Sequence, residues 1–266
     1  TRFIVGLGKK MLLANPLGEV AADLFGLSAL ALTPTKAWIG AVCFALQILF
    51  DFSGYSDMAI GLGRMFGFHF LENFTFPYIC RSITDFWRRW HISLSTWFRD
   101  YVYIPLGGNR KGKARQLLNL LIVWTLTGFW HGASWNFVLW GLYFAALLIL
   151  EKLFLGRLLD RLPRAVGHVY ALFFVLIGWV IFNCTSLADI GTYLHAMFAG
   201  TSAGAADWQY VQWFLRQYGL ELLAAVLVST PLLQRAVARW KDRPLARLGW
   251  TVWMLAVFGL SLLALA

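Results

Sequence analysis

The chain carries little charge for its length. Only 14% of its 266 residues are Asp, Glu, Lys or Arg, and 59% are hydrophobic, whereas a soluble globular domain has about 25% charged and 45–50% apolar residues. Acidic residues are the scarcer charged type, 13 against 23 basic residues. This composition excludes an ordinary soluble domain and indicates an integral membrane protein.

Motifs for several cofactor classes are also missing. The three cysteines show no CxxC spacing, so we expect free thiols and neither a disulfide nor a metal site. His91 and His131 are forty residues apart without a nearby His/Glu pair, which argues against zinc. The glycines at 61–67 follow an apolar run and lack the spacing of a dinucleotide-binding loop.

The hydrophobic residues occur in long runs with few or no charges. Several runs approach the roughly 20 residues that an α-helix needs to cross about 30 Å of hydrocarbon. We therefore predict an all-α, polytopic protein with transmembrane helices in a single membrane domain over 1–266. The runs lie at 37–50, 117–130, 135–150, 167–183, 220–233 and 248–266.

Positive charge is concentrated between these runs, and the formal net charge is +10. Basic loops of membrane proteins face the cytoplasm and anionic lipid, so we predict no nucleic-acid partner and place segments 110–115, 152–164 and 235–247 inside. Segment 185–212 has no Lys or Arg and is predicted to be an outside loop. The chain begins at Thr1 in an apolar segment, and we expect an amino-terminal part of a longer protein to precede it.

One ionisable residue, His131, lies between two of the runs. One helix follows the basic segment 110–115, and the next covers 133–150. A turn at His131 must join these two helices. The fifteen residues 116–130 rise about 22 Å, so the turn is predicted deep in the bilayer or near its far leaflet. Gly128 and Gly132 permit a break and a close backbone approach there. An ionisable side chain at that depth is costly and usually has a task or a partner.

Segment 84–104 has a different pattern. Its apolar residues recur three and four positions apart, which predicts one α-helix with an apolar face that includes His91. Ser82 and Asp85 have the spacing of a capping box at its start, and turn residues at 105–109 end it. An amphipathic helix rich in Trp and Arg belongs at a membrane interface or in a re-entrant segment.

Five segments of the chain form a set of motifs in a fixed order. They are FIVGLGKK (3–10), FDFSGYSDMAIG (50–61), RRWHISLSTWFRDY (88–101), YIPLGGNR (103–110) and TGFWHGASWNF (127–137). With these motifs the chain resembles the membrane-bound O-acyltransferases, and within that family the bacterial branch of alginate O-acetylation proteins and D-alanyl-lipoteichoic acid acyltransferases. The strong match covers 1–155, whereas 156–266 fits only as C-terminal transmembrane helices.

The resemblance implies an enzyme. Members of the family move an acyl group, here acetyl or another short group, through a membrane funnel from a cytoplasmic donor towards hydroxyls of an exported polysaccharide or cell-wall polymer. No bound cofactor is expected, and acetyl-CoA or an acyl carrier protein serves as donor. The resemblance also implies a multi-pass protein of the bacterial inner membrane, in contact with its lipids and with a periplasmic or membrane-anchored acetyltransferase partner.

Both histidines acquire roles from the resemblance. The family's essential histidine maps onto His131, which is implied to act as general base for the acceptor hydroxyl or to relay the acyl group. Its second recurrent polar position maps onto His91. A hydroxyl is a poor nucleophile until a base removes its proton, and burial keeps imidazole in the neutral form that a base requires. On spacing alone, a core histidine bonded to a neighbouring helix explains His131 equally well. His91 either orients the donor or its acyl carbonyl, or packs on the aromatic face.

Polar residues near the end of the 37–50 run are further candidates. Their side chains either line a tunnel for the substrates or pair with Arg64, and the sequence favours neither alternative. They are Asp51, Ser53, Tyr55 and Asp57.

The motif segments add arginines and residues around His131. Arg88, Arg89 and Arg99 either bind donor phosphates and lipid headgroups or form a solvated cytoplasmic face. Trp130 is predicted to help exclude water, which would otherwise hydrolyse the activated acyl group. Asn136 is a candidate to hold the imidazole ring of His131.

Two other functions remain as alternatives. A transporter or channel would use the buried histidines as a proton relay, but it should show paired broken helices in two related halves, and no such internal symmetry is seen. A non-catalytic scaffold of an export complex requires that replacement of His131 by Ala leave activity intact.

Overall fold

The computed structural model describes residues 1–240 and 244–265. Within these residues the chain is helical and contains no β-strand, which confirms the prediction of an all-α protein. The α-helices are α1 Arg2–Gly8, α2 Asn15–Phe25, α3 Pro34–Met65, α4 Ile83–Trp87, α5 Ile92–Phe98, α6 Lys113–His131, α7 Trp135–Leu150, α8 Gly156–Arg161, α9 Arg164–Asn183, α10 Leu187–Ala199, α11 Ala205–Val228, α12 Leu232–Trp240 and α13 Pro244–Leu263.

The chain divides into two compact units. The first contains Thr1–Glu72 and the described part of Ala196–Ala266, and the second contains Asn73–His195. Both histidines singled out in the sequence belong to the second unit. The single membrane domain over 1–266 stays a prediction.

In the first unit, α1 lies against α3 through paired glycines. A Cβ on Gly6 would lie 2.5 Å from the carbonyl oxygen of Gly54, and a Cβ on Gly54 would lie 2.8 Å from the carbonyl oxygen of Gly6. Helices approach this closely only where both lack side chains. Pro34 is the first residue of helix α3. Thr33 caps the helix, because its Oγ1 accepts a hydrogen bond from the Lys36 backbone N–H at 3.4 Å.

The described residues contain three helices long and apolar enough to cross a membrane, or four if a bent pair counts as one span. The three are Pro34–Met65, Trp135–Arg161 and Arg164–Asn183, and the bent pair, at 71°, is Ala205–Val228 with Leu232–Arg239. The membrane character is thereby confirmed, whereas the inside and outside placement of the loops stays a prediction.

Three predicted spans differ in the structure. The run 248–266 falls in α13, whose apolar part Arg247–Leu263 is shorter than a candidate span. The run 220–233 does not form one helix, because Pro231 lacks a backbone N–H and disfavours helix in the residue before it, so α11 ends at Val228. The run 117–130 lies within α6, which does not reach the apolarity of a candidate span. The first turns of α6 carry Lys113, Arg115 and other polar residues, which lower the mean hydropathy of the helix.

Two predicted loops are largely helical. The basic segment 152–164 continues α7 through a π-helical turn, Glu151–Leu155, and α8, so the helix breaks only near Pro163. The predicted outside loop 185–212 contains α10 and the start of α11. The basic segment 235–247 lies partly outside the described residues.

The predicted helix over 84–104 is broken. Helix α4 ends at Trp87, α5 starts at Ile92, and a π-helical turn, Arg99–Tyr103, follows. The break centres on His91, whose backbone is left-handed at φ 45° and ψ 55°. Because the break resets the helical register, the predicted apolar face is not continuous, and Tyr101 is 69% exposed. The predicted helix start is confirmed, since Asp85 N–H donates to Ser82 Oγ at 3.0 Å. The reciprocal bond of a capping box is not formed, because the Asp85 carboxylate accepts from the Arg81 N–H at 3.2 Å and not from the N–H of Ser82.

The core of the second unit is built on the antiparallel hairpin of α6 and α7. Gly128 faces the backbone of Phe137, and Gly141 faces the backbone carbonyl of Trp124, so close that a Cβ at either glycine would overlap these atoms. Helix α9 packs against α7 on another side. Aromatic rings fill the space between the helices, with Trp140 almost wholly buried. This packing fixes the end of α6, where His131 lies.

Candidate functional site

His131 is the last residue of α6, and α7 begins four residues later. The prediction that this histidine lies at the turn between two helices is therefore confirmed. Gly132 follows it, and a Cβ there would lie 2.8 Å from the ring of Phe137, so only glycine fits without displacing that ring. The depth of the turn in a bilayer stays a prediction.

The imidazole of His131 is packed among aromatic rings. Its ring centroid lies 4.9 Å from Trp130, 5.0 Å from Trp140, 5.1 Å from Phe182 and 6.1 Å from Phe137. The contacts with Trp140 and Phe182 are edge-to-face, with interplanar angles of 83° and 89°. These rings hold the imidazole by shape, and they come from three different helices or their ends.

Among the described residues, none forms a hydrogen bond or an ion pair with His131, and its side chain is only partly buried. A histidine that serves a core usually has its ring nitrogens bonded. Apolar rings solvate a charged imidazolium poorly, so this environment favours the neutral form. The ring is therefore partly accessible, and its resting form is the neutral imidazole.

His91 is held by Asn73. Its Nδ1 lies 3.4 Å from Asn73 Oδ1, and the same oxygen accepts hydrogen bonds from the N–H of Ser93 at 3.1 Å and from its hydroxyl at 2.9 Å. The Asn73 carbonyl also accepts from the Ile92 N–H at 3.1 Å. Asn73 thus binds the first turn of α5 and stabilises the left-handed backbone at His91, which is uncommon for a residue other than glycine.

The polar side of the His91 ring faces two oxygens. Asn73 Oδ1 and the Ser93 hydroxyl each lie 3.4 Å from His91 Nδ1. Burial lowers the pKa of the His91 imidazole from 6.5 to about 4. His91 is therefore neutral at working pH.

The indole of Trp130 contacts both imidazoles. Its ring centroid lies 6.0 Å from that of His91 and 4.9 Å from that of His131. Trp130 is 56% exposed, so the two neutral imidazoles lie beside one open aromatic surface. The structure thus brings together the two histidines that are forty residues apart in the sequence.

Asn136 does not hold the ring of His131 directly. Its side chain is buried, and its Nδ2 donates to the carbonyl oxygens of Phe182 at 3.3 Å and Cys184 at 2.8 Å. The predicted contact is therefore wrong, because the amide faces the C-terminal end of α9, where carbonyl groups lack partners within the helix.

The three arginines have different environments. Arg89 pairs with Asp85, Nε to carboxylate oxygen at 2.8 Å, one helical turn away. Arg99 pairs with Asp100 on the surface at 2.7 Å. Arg88 is exposed, and no described residue bonds to its guanidinium. Binding of donor phosphates or lipid headgroups by these residues stays a prediction.

The four polar candidates of 50–61 belong to the other unit. Asp57 is buried and accepts hydrogen bonds from Arg2 Nη2 at 2.6 Å and Lys9 Nζ at 2.7 Å, and Asp51 pairs with Lys10 at 2.6 Å. The alternative that these carboxylates pair with Arg64 is wrong, since Arg2, Lys9 and Lys10 pair with them instead.

The remaining two polar candidates lie in different environments. Ser53 is buried, and its Oγ lies 3.5 Å from Lys9 Nζ. Tyr55 is 64% exposed. Tunnel lining by any of the four stays a prediction.

Several residues of the site carry no local signal in the sequence. Asn73 contacts His91, and Trp140 and Phe182 contact His131. Glu151 holds the start of α4 through hydrogen bonds from Ile83 and Thr84. In each case the two partners are separated along the chain, so no short motif predicts the contact. Asn73 lies between the motif segments 50–61 and 88–101 and belongs to neither, and Phe182 lies in an apolar run where it resembles any membrane-facing phenylalanine. No group of three or more His, Cys, Asp or Glu side chains is arranged for a metal in the described part of the chain.

Comparison with known proteins identifies a family and several relatives. The model of the membrane-bound O-acyltransferase family matches residues 24–193. A probable alginate O-acetylase AlgI of Azotobacter vinelandii is 44% identical over 231 residues, which cover 86% of this chain and 46% of that protein. A peptidoglycan O-acetyltransferase of Helicobacter pylori is 38% identical over 198 residues, which cover 73% of this chain and 37% of that protein. A teichoic acid D-alanyltransferase of Bacillus subtilis is 35% identical over 154 residues, which cover 53% of this chain and 39% of that protein. The matched part of this chain therefore spans less than half the length of these relatives.

Proposed function

This chain belongs to the membrane-bound O-acyltransferase family, and from that membership we propose that the protein transfers a short acyl group to hydroxyls of an exported polymer, with His131 as general base. One observation carries the assignment of the base. The imidazole of His131 is held by aromatic rings, is partly exposed, and has no hydrogen bond or ion pair with any described residue. Such a ring is available to an incoming hydroxyl.

In the proposed reaction the acceptor oxygen attacks the carbonyl carbon of a thioester donor while His131 takes the hydroxyl proton. The new C–O ester bond forms as the C–S bond breaks, and the imidazolium returns its proton to the leaving thiolate. Atoms and charges therefore balance without a further reactant. Acetyl-CoA or an acyl carrier protein supplies the thioester, and the resemblance to the family supports a cytoplasmic donor.

His91 is proposed to orient the donor or its acyl carbonyl beside His131. The position of the two imidazoles supports this role, since both contact Trp130, with ring centroids 6.0 Å and 4.9 Å from that of the indole.

Acetylation of an exported polysaccharide is the form of the reaction that the relatives support best. Identity is 44% to the probable alginate O-acetylase, against 38% to the peptidoglycan O-acetyltransferase and 35% to the D-alanyltransferase. These relatives are bacterial proteins, which supports a place in the inner membrane. A periplasmic or membrane-anchored acetyltransferase that completes the transfer is proposed as the partner.

The test is polymer acylation in cells that carry the protein with His131→Ala. The expected result is a loss of ester-linked acyl groups by a factor of about 100 or more, which is the typical contribution of a general base. His195→Ala is the matched control, since His195 is exposed in the same unit. Membrane levels of each variant are matched by immunoblot, and mild alkali releases the acyl groups for identification.

Unchanged acylation in His131→Ala would contradict the base assignment and favour the scaffold or the transporter. Release of acetate would support O-acetylation, and release of D-alanine would identify the other acyl group. The polymer that carries the ester identifies the acceptor class.

A further inference from the structure

Asn136 joins the first turn of α7 to the end of α9. It is 4% exposed, and its Nδ2 bridges the carbonyl oxygens of Phe182 and Cys184. The last carbonyl groups of a helix have no partner within it, so this amide both satisfies two of them and holds the helix end in place. The backbone of Phe182 is therefore attached directly to Asn136.

The ring of Phe182 is one of the rings that hold His131. The two ring centroids lie 5.1 Å apart at an interplanar angle of 89°, an edge-to-face contact. Phe182 also contacts Phe137 and Trp140, at 5.1 Å and 5.4 Å. Since His131 has no hydrogen bond with a described residue, the orientation of its imidazole depends on these ring contacts.

We propose that Asn136 is a positioning residue that sets the orientation of His131 through Phe182. The inference depends on the proposed role of His131 as the base. When Asn136 loses its amide, the end of α9 is released and Phe182 moves away from the imidazole. The ring of His131 then samples orientations in which its nitrogen no longer faces the acceptor hydroxyl.

The chain supplies a close control in Asn119. This asparagine is also fully buried, lies on α6, and bridges two backbone carbonyls, those of Leu106 at 3.3 Å and Gly108 at 3.0 Å. The Oδ1 of each asparagine is buried without a partner among the described residues. Asn119 precedes His131 by twelve residues, about 18 Å along the helix. The two asparagines therefore have the same structural chemistry, and only Asn136 is connected to the imidazole.

The experiment measures kcat and the donor KM of the full protein, reconstituted in lipid with acetyl-CoA as the donor and alginate as the acceptor. The variants are Asn136→Ala, Phe182→Ala, the double variant, Phe182→Tyr and Asn119→Ala. Misplacement of a catalytic group by about 1 Å lowers a rate by up to about 100-fold, and for a reoriented ring we expect about a tenfold lower kcat in Asn136→Ala and Phe182→Ala. The donor KM is expected to stay within about twofold, because neither residue is proposed to bind the donor.

Two further results are expected if Asn136 acts through Phe182. The kcat of the double variant is no lower than that of the more impaired single variant, because both changes interrupt the same contact. Phe182→Tyr recovers most of the kcat that Phe182→Ala loses, because the ring is restored. Asn119→Ala lowers the melting temperature to a similar extent as Asn136→Ala and leaves kcat near wild type.

The inference is overturned if kcat falls equally in Asn136→Ala and Asn119→Ala, or if the two losses multiply in the double variant. If Asn136→Ala does not accumulate in the membrane, Phe182→Ala and Phe182→Tyr carry the test, since they leave the amide bridge intact. A protein in which His131→Ala is active refutes the proposed function itself. A protein in which His131→Ala is inactive and Asn136→Ala is fully active refutes only the positioning role.

Discussion

Glu151 gives the sharpest test of how the second unit is held together. It is 7% exposed in the π-helical turn after α7, and its carboxylate accepts three hydrogen bonds at the start of α4. Oε1 accepts from the Ile83 N–H at 2.6 Å, and Oε2 accepts from the N–H and the hydroxyl of Thr84 at 2.9 Å and 2.6 Å. The first N–H groups of a helix have no partner within it, so this one carboxylate satisfies two of them.

The geometry predicts different costs for two substitutions. In Glu151→Gln the single amide oxygen can serve the two donors of Thr84, but the NH₂ group then faces the N–H of Ile83. One buried donor without a partner costs about 1–3 kcal/mol of the free energy of unfolding. In Glu151→Ala all three hydrogen bonds are lost with no water to replace them, and we expect about 3–5 kcal/mol. Glu19→Ala, an exposed glutamate, should stay within about 0.5 kcal/mol of wild type.

The assay is denaturant or thermal unfolding of the purified protein in detergent or lipid. For domains of this size, about 1 kcal/mol corresponds to roughly 2–4 °C in melting temperature. The activity per folded molecule should change less than the stability, since Glu151 touches neither histidine. The reasoning is refuted if Glu151→Ala unfolds like Glu19→Ala, or if the Gln and Ala variants lose the same free energy.

Three further predictions follow from single contacts. Gly128→Ala should lower the free energy of unfolding by roughly 1–3 kcal/mol, because the added Cβ would overlap the carbonyl of Phe137. Gly219→Ala is the control, since a Cβ at Gly219 meets no atom within 4 Å. Equal melting temperatures of the two variants would contradict the close approach of α6 and α7. The variant His91→Asn places at this position a residue that tolerates a left-handed backbone. The pKa of His91 in the folded protein, about 4, lies below the ordinary value, so the unfolded state takes up the proton first as pH falls and the folded protein loses stability. The variant should therefore lose less stability than wild type between pH 6.5 and 4. Melting curves across this window test it, and an unchanged slope would count against it. Asp57→Asn should cost about 1.5–3 kcal/mol, because two cations lose their carboxylate; denaturant unfolding measures this, and no loss would show that the ion pairs contribute little.

The site could be predicted from the sequence only in part. The Trp-His-Gly turn at His131 follows from two apolar runs that must be joined, and the start of α4 follows from the spacing of Ser82 and Asp85. Both signals are local, because a helix and its cap are decided by residues three to five positions apart.

Contacts between distant residues had no such signal. The periodicity of 84–104 predicted one helix, but hydrogen bonds from Asn73 stabilise a left-handed backbone at His91 and break it. Likewise, Asn136 was expected to hold His131 and instead bonds the end of α9. A local pattern reports which face of a helix is apolar, but it carries no information on which distant group will meet that face.

The amino-acid sequence by itself determined that this is an all-α membrane protein with a histidine at the turn of a helical hairpin, since hydrophobicity and helical period are properties of neighbouring residues. Only the tertiary structure decided how that histidine is surrounded. Trp140 and Phe182 reach the imidazole because α6, α7 and α9 pack together. The chemistry of His131 thus depends on contacts that form only when these three helices are in place.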